Sequence, residues 1–257
     1  MPDCSAPRHD NAARCGILVI GSLLWHNDAG GHRERWRQSR LDLSAKQHVK
    51  IPIRYGRRSQ TWGNSFTMIL DAEASVGQAV LVPCKGPVLS FEDLIVEVQW
   101  LWAAEANEPP SKEFHRGWGC VGSLFSSSEF AQALADEWRG YFQDAKAAKF
   151  PAIDRDGKLN SPWPKLIGGT PVEDFEIILG TATMPKPIDN WPSAQQIAKG
   201  WIDQNGGHER YFFENVRHGI RTHDDHEVWK AIEAEKPKWR TSSDYAVPIK
   251  QLIAETE

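Results

Sequence analysis

The sequence predicts an α+β fold, a mixed β-sheet with flanking helices followed by an α-rich C-terminal stretch. Three observations carry that expectation. Four strand-like segments precede the first convincing helix, which argues against a regular βαβ repeat. One helix, from Ser90 to about Glu105, then shows a clear apolar face. Beyond residue 150 a strand-like segment, Phe175 to Thr183, is followed by a succession of helical patterns.

Taken in order, Cys15-Gly-Ile-Leu-Val-Ile20 reads as a fully buried strand running into Gly21-Ser22-Leu23-Leu24-Trp25, where glycine invites a sharp turn. The polar stretch from Asp28 to Gln38 carries no strong signal. Gln47 to Tyr55, Phe66 to Leu70 and Gly77 to Pro83 read as three more strands, with Asp71 to Val76 connecting the last two. Ser90 is a good N-cap, and Asp93 suits the first turn of the helix it opens. Phe91, Leu94, Ile95, Val98, Leu101 and Trp102 recur at helical spacing, and Asn107 to Pro110 ends the run. Cys120 to Phe125 predicts a strand, and Ser128 to Phe142 a helix with Phe130, Leu134, Trp138 and Tyr141 on one side.

The Pro- and Gly-rich stretch from Phe150 to Thr170 divides a core, residues 1–150, from an extension, residues 151–257. Helices are expected over 193–204, 209–218 and 224–235, and the paired glycines at 30–31, 168–169 and 206–207 read as turns. Trp191, Trp201, Tyr211, Phe212, Phe213 and Trp229 need a partner surface, so the extension is expected to pack on the core.

Composition excludes several function classes. The 257 residues carry a formal net charge of -4, and no Lys/Arg-rich block suggests a nucleic-acid partner. The four cysteines, Cys4, Cys15, Cys84 and Cys120, include no Cys-x-x-Cys pair, which argues against zinc ligation and for reduced thiols. His223-Asp224-Asp225-His226 lacks a recognised ligand pattern, and helix-start aspartates explain it. The N-terminus has no apolar signal core and the longest early apolar run is strand-sized, so a cytoplasmic protein without a membrane segment is expected.

Chemistry points to Glu105. On a helical wheel it falls within roughly 20° of the centre of the apolar arc, while Glu97 and Glu108 lie at its margin or outside. A carboxylate on a core-facing stripe tends to gain a raised pKa, suited to general acid–base work. The alternative is a helix that frays before Glu105 and leaves it in solvent. Arg54, Tyr55, Arg57, Arg58 and Ser59 could hold a substrate carboxylate or merely decorate a strand edge.

A strand running into Gly21-Ser22-Leu23-Leu24-Trp25, followed after several strands by a helix ending Leu101-Trp102-Ala103-Ala104-Glu105, resembles the gamma-glutamylcyclotransferase-like superfamily over residues 15 to 125. The Gly-Ser-Leu-Leu-Trp form is close to that family's glutathione-degrading branch, and Val80-Leu-Val-Pro83 fits the strand preceding its catalytic helix. The resemblance implies a mixed sheet or small barrel, with Glu105 as the catalytic acid/base. It implies a lyase that cyclises a γ-glutamyl amine or peptide to 5-oxoproline and a free amine, without cofactor. Substrate contacts would fall on Ile20, Gly21, Ser22, Leu23 and Leu24, with Arg54 and Arg57 beside them. The expected partner is a small γ-glutamyl molecule, with neither nucleic acid nor membrane, and a homodimer remains an open arrangement. Ile20 stands where the family usually has Tyr, which implies either a different substrate or lost activity. The alternatives are a small-molecule-binding or interaction protein of the same fold, and a related acyl- or amidotransferase.

Overall fold

One mixed sheet organises the computed structural model, which describes residues 12–147, 150–186, 190–202 and 207–254. Cys4, Gly206 and the end of the helix expected over 193–204 lie outside the described residues. The strands are β1 (Cys15–Val19), β2 (Gln47–Ser59), β3 (Ser65–Leu70), β4 (Val76–Pro83), β5 (His115–Arg116), β6 (Gly119–Phe125), β7 (Lys165–Leu166) and β8 (Ile177–Thr183). Their order is β3-β2-β4-β1-β8-β6-β5, with β7 on β2. β1 and β8 run parallel, and the other pairs are antiparallel. The fold is α+β. No helix among the described residues is long and apolar enough to cross a membrane.

Every residue of β1 and of β8 is buried, which explains their continuous apolar runs: strands covered on both faces lose the polar alternation of an open sheet. β8 lies between β1 and β6, so the sheet draws its centre from both sides of the division at residue 150. The first half of β2 pairs with β4 and the second half with β3, and the register shifts between Tyr55 and Arg57. Gly56 occupies that bulge because a Cβ there would stand 2.5 Å from Ile69 Cδ1. The bend curls the sheet until β3 lies against β8, leaving a concave side at one end of β1 and β8.

Helix α1 (His32–Arg40) occupies most of the stretch that carried no sequence signal. Helix α2 (Phe91–Ala106) starts as expected. The Ser90 hydroxyl accepts from the Asp93 N–H at 3.2 Å, and the Asp93 carboxylate accepts from the Leu89 N–H at 3.0 Å. Asn107 in the left-handed conformation ends it. Leu94, Val98, Leu101 and Trp102 form its buried face.

Glu97 is buried as well, contrary to its expected place at the margin of the apolar arc. The cause lies on another element: Arg40 at the end of α1 reaches over and pairs with its carboxylate, so the site tolerates a charge.

Helix α3 (Glu129–Asp144), capped by Ser128, follows β6. The last part of the chain forms α4 (Ala194–Ile202), α5 (Arg210–Arg217), α6 (Asp225–Glu235) and α7 (Ala246–Ala254). Their aromatic residues join the sheet's own core. Trp201 packs edge-on against Tyr55 of β2 and tilted on Phe212, with ring centroids 5.4 Å apart in both pairs.

Candidate functional site

The concave end of the sheet opens into a cleft of about 660 Å³. Chain segments far apart in sequence meet there: the loop after β1, the end of β2, the middle of β3, the end of α2, Trp118 before β6, the end of β8 and the start of α5. Of the residues singled out in the sequence, Glu105, Ile20, Gly21, Ser22, Leu23 and Arg57 all line it.

Leu24 and Arg54 are not among its lining residues. Leu24 is core, since the loop winds into one 3₁₀ turn that directs its side chain inward. The Leu24 N–H is also committed, donating to the Gly21 carbonyl at 3.4 Å. Arg54 is occupied elsewhere. It pairs with Asp71 at 3.0 Å and its guanidinium lies 4.5 Å from the centre of the Trp191 ring. Arg57 and Ser59, two positions apart on the last part of β2, share one face and turn into the cleft.

Glu105 sits half-buried on the last turn of α2, where its carboxylate accepts from Thr181 Oγ1 of β8 at 3.4 Å. The backbone around it is tied to the loop by a buried arginine. Arg33 donates through Nε to the Ala104 carbonyl at 3.0 Å and through Nη1 to Ser22 Oγ at 3.4 Å. The same Nη1 lies 3.1 Å from His26 Nδ1. A guanidinium can only donate, so Nδ1 is the acceptor and the imidazole proton is on Nε2. Burial, then the neighbouring Arg33 and Arg210 charges, lower the His26 pKa, which keeps the ring neutral at pH 7.

Asp28 fastens the other side. Its carboxylate accepts from the His32 and Arg33 N–H groups at 2.9 and 2.8 Å, satisfying the open donors at the start of α1. Desolvation acts upward on its pKa, but those two bonds outweigh it and hold the carboxyl below the usual range. The Asn107 amide nitrogen, in the orientation that satisfies both partners, donates to Asp28 Oδ1 at 2.9 Å. The start of α1 and the end of α2 are thereby locked together, with Glu105 between the locks.

Arg57 faces Glu105 across the cleft. Its guanidinium lies 4.6 Å from the centre of the Trp118 ring, which stacks on Trp102 at 5.0 Å. Burial lowers its pKa and the Glu105 charge opposes that shift, so the group stays cationic at neutral pH. Of the charged groups lining the cleft, Asp28 and Arg33 are tied to the surrounding backbone, which leaves the Glu105 carboxylate and the Arg57 guanidinium to complement a small zwitterion.

Arg33 and Tyr211 are among the groups that escaped the sequence reading. Arg33 lay in the stretch without a signal. Tyr211 read only as an apolar residue in need of a partner, yet its hydroxyl reaches the cleft beside Gly21. Gly21 itself has an extended φ of -172°, which any residue can adopt. Glycine is required there because a Cβ would stand 2.8 Å from the Tyr211 hydroxyl. Nothing local in the sequence marks that approach, since the two residues are far apart along the chain.

No family model, curated protein or solved structure matches the chain. What the fold and cleft define by themselves is an α+β protein with a small polar cleft at one end of its sheet, lined also by the loop after β1, the end of α2 and Tyr211 of α5, and bearing a half-buried carboxylate and an arginine.

Proposed function

We propose that this cleft is the active site of a gamma-glutamylcyclotransferase-like enzyme, which converts a γ-glutamyl amine or peptide to 5-oxoproline and a free amine. The observation that carries the reading is convergence. Glu105, the Ile20–Leu23 loop and Arg57, chosen from sequence and separated by up to 85 positions, line one cleft.

The chemistry follows from that arrangement. Arg57 holds the substrate's α-carboxylate, and Glu105 takes a proton from the α-amine next to it. The freed amine attacks the γ-amide carbonyl of the same molecule, so positioning supplies much of the rate. The new C–N bond closes the lactam, Glu105 returns the proton to the leaving nitrogen, and the old C–N bond breaks. The N–H groups of Gly21, Ser22 and Leu23 stand at the open start of the 3₁₀ turn and are the donors offered to substrate oxygens. No cofactor takes part in these steps. A cytoplasmic setting belongs to the same proposal, supported by the buried, unpaired Cys15, Cys84 and Cys120.

Ile20 favours a second reading, a small-molecule-binding protein of the same fold, because the family's tyrosine is missing from that position. Incubation with a panel of γ-glutamyl amino acids and amines, followed by mass detection of 5-oxoproline, separates the two. Release of 5-oxoproline with one equivalent of amine is the expected result. Saturable binding without product would overturn the enzyme reading, and a γ-glutamyl adduct on another acceptor would indicate acyl transfer.

A further inference from the structure

The hydroxyl of Tyr211 has an unusual surrounding for a buried phenol. Its oxygen accepts from the Met68 N–H of β3 at 3.0 Å. The Asn215 amide is its other polar neighbour, one turn along α5. That amide is held in one orientation, because its Oδ1 accepts from Trp25 Nε1 at 2.8 Å. The Asn215 nitrogen, which finds no acceptor of its own, is therefore the end left to face the phenol. The Met68 N–H is bonded to the oxygen, the Asn215 nitrogen stands near it without a hydrogen bond, and among the described residues the hydroxyl proton meets no acceptor. The open direction is the cleft, where the oxygen passes within 2.8 Å of the point a Gly21 Cβ would occupy. The ring cannot swing away, since Trp25 and Trp62 pack against it with centroids at 6.4 and 5.4 Å.

The geometry points to Tyr211 as a substrate-contacting hydrogen-bond donor, whose O–H meets a carbonyl or carboxylate oxygen of the ligand held against Gly21. This rests on the reading of the cleft as a γ-glutamyl site and adds a contact supplied by the C-terminal helices. Burial raises the Tyr211 pKa, so the group stays protonated across the neutral range and acts only as a donor. The cleft is then a joint product of the sheet and of α5, and specificity for the oxygen end of the ligand lies on α5.

Two experiments test this. In the first, kcat and KM for the best γ-glutamyl substrate and the affinity for 5-oxoproline are measured on wild type, Tyr211→Phe and Glu105→Gln. Tyr211→Phe is expected to lose about 10- to 100-fold in kcat/KM. A loss in kcat means the oxygen is the reacting carbonyl, where charge develops; a loss confined to KM means a carboxylate. In the second, which needs no ligand, Gly21→Ala is expected to lower Tm in the wild type and to cost clearly less in the Tyr211→Phe background. Such coupling appears only if the hydroxyl occupies the space beside Gly21.

A folded Tyr211→Phe protein with kcat/KM and 5-oxoproline affinity within about twofold of wild type overturns the inference and leaves the Glu105 assignment standing. Equal costs of Gly21→Ala in both backgrounds overturn it too. An active Glu105→Gln with an impaired Tyr211→Phe instead overturns the assignment of Glu105 and keeps Tyr211. A wild type that neither turns over any panel compound nor binds 5-oxoproline overturns both.

Discussion

Two carboxylates stand about two turns apart on α2, and their surroundings differ in almost every respect. Glu97 is 3% exposed and answered by Arg40, which bonds both of its oxygens. Glu105 is half-buried, opens on a cleft, and has the Thr181 hydroxyl as its hydrogen-bond partner. Both are carboxylates on the same helix, yet one is closed off and the other is reachable. Burial alone does not mark a functional acid. A buried acid matched by its own cation is part of the frame, whereas one set at a cleft with no ion pair among the described residues is available to a ligand. In chemical terms the pairing at Glu97 holds α1 to α2, and α1 in turn holds the turn that carries Glu105 through Arg33 and Asp28.

Breaking the frame at the Glu97 pair should cost stability without chemistry. The largest effect is expected at Glu97: Glu97→Ala leaves a cavity and an unanswered Arg40, and should destabilise by about 3 kcal/mol, discounted from the fully buried case because Arg40 is partly exposed. Urea unfolding measures it. A loss under about 0.5 kcal/mol would show that the pair contributes nothing to the frame.

Arg33→Ala comes next. It removes the tie between Ser22 and the Ala104 carbonyl and should cost about 1–3 kcal/mol, together with a fall in turnover because the loop and Glu105 lose their common anchor. Arg33→Lys should rescue the stability only in part, since an ammonium cannot span both acceptors. Full rescue of both Tm and rate by lysine would contradict this positioning role.

A third contrast lies at Asp225, buried at the start of α6 with the Thr222 hydroxyl donating to it at 2.6 Å. Desolvation pushes its pKa up to about 7, against the opposing bond from Thr222, the nearby Tyr55 hydroxyl and the Arg221 charge. The folded state thus holds this proton more tightly than the unfolded chain, and the stability it contributes is present at acid pH and lost as pH rises from about 4 to about 7. Asp225→Asn should gain on wild type in Tm as pH is raised from about 5 to about 8. A constant difference across that range would sink the idea. The smallest effect is expected at Glu108, whose surface pairing with Arg116 predicts a Glu108→Gln change within about 0.5 kcal/mol and unaltered turnover.

The same contrast explains what the sequence could and could not reveal. The start of α2 was legible because Ser90, Asp93 and the apolar periodicity are local signals that the fold obeys directly. Glu105 does meet the Gly21 loop at the cleft, as their order along the chain led one to expect, but it is half-buried and not on the core-facing stripe where the wheel set it. Glu97 was misread because the residue that permits its burial, Arg40, belongs to another helix. That helix, α1, was hidden in turn: Trp36 is its one large apolar residue, and buried arginines Arg33 and Arg37 do the packing that periodic leucines would have announced. The full length of β2 was obscured by Gly56 and the polar run after it, where a bulge breaks the alternation on which strand reading depends. Tyr211 could not be linked to Gly21 by any local rule, because their contact exists only once β8 and α5 have closed the end of the sheet.

The measurement that tests the account most directly compares Glu105→Gln with Glu97→Gln in the same two assays, a melting curve and the rate of 5-oxoproline release. The expected result is a crossing: Glu105→Gln keeps the wild-type Tm and loses about 10²- to 10⁴-fold in rate, while Glu97→Gln loses Tm and, at temperatures where it is folded, keeps its rate. A folded Glu105→Gln protein that releases 5-oxoproline at the wild-type rate would contradict it.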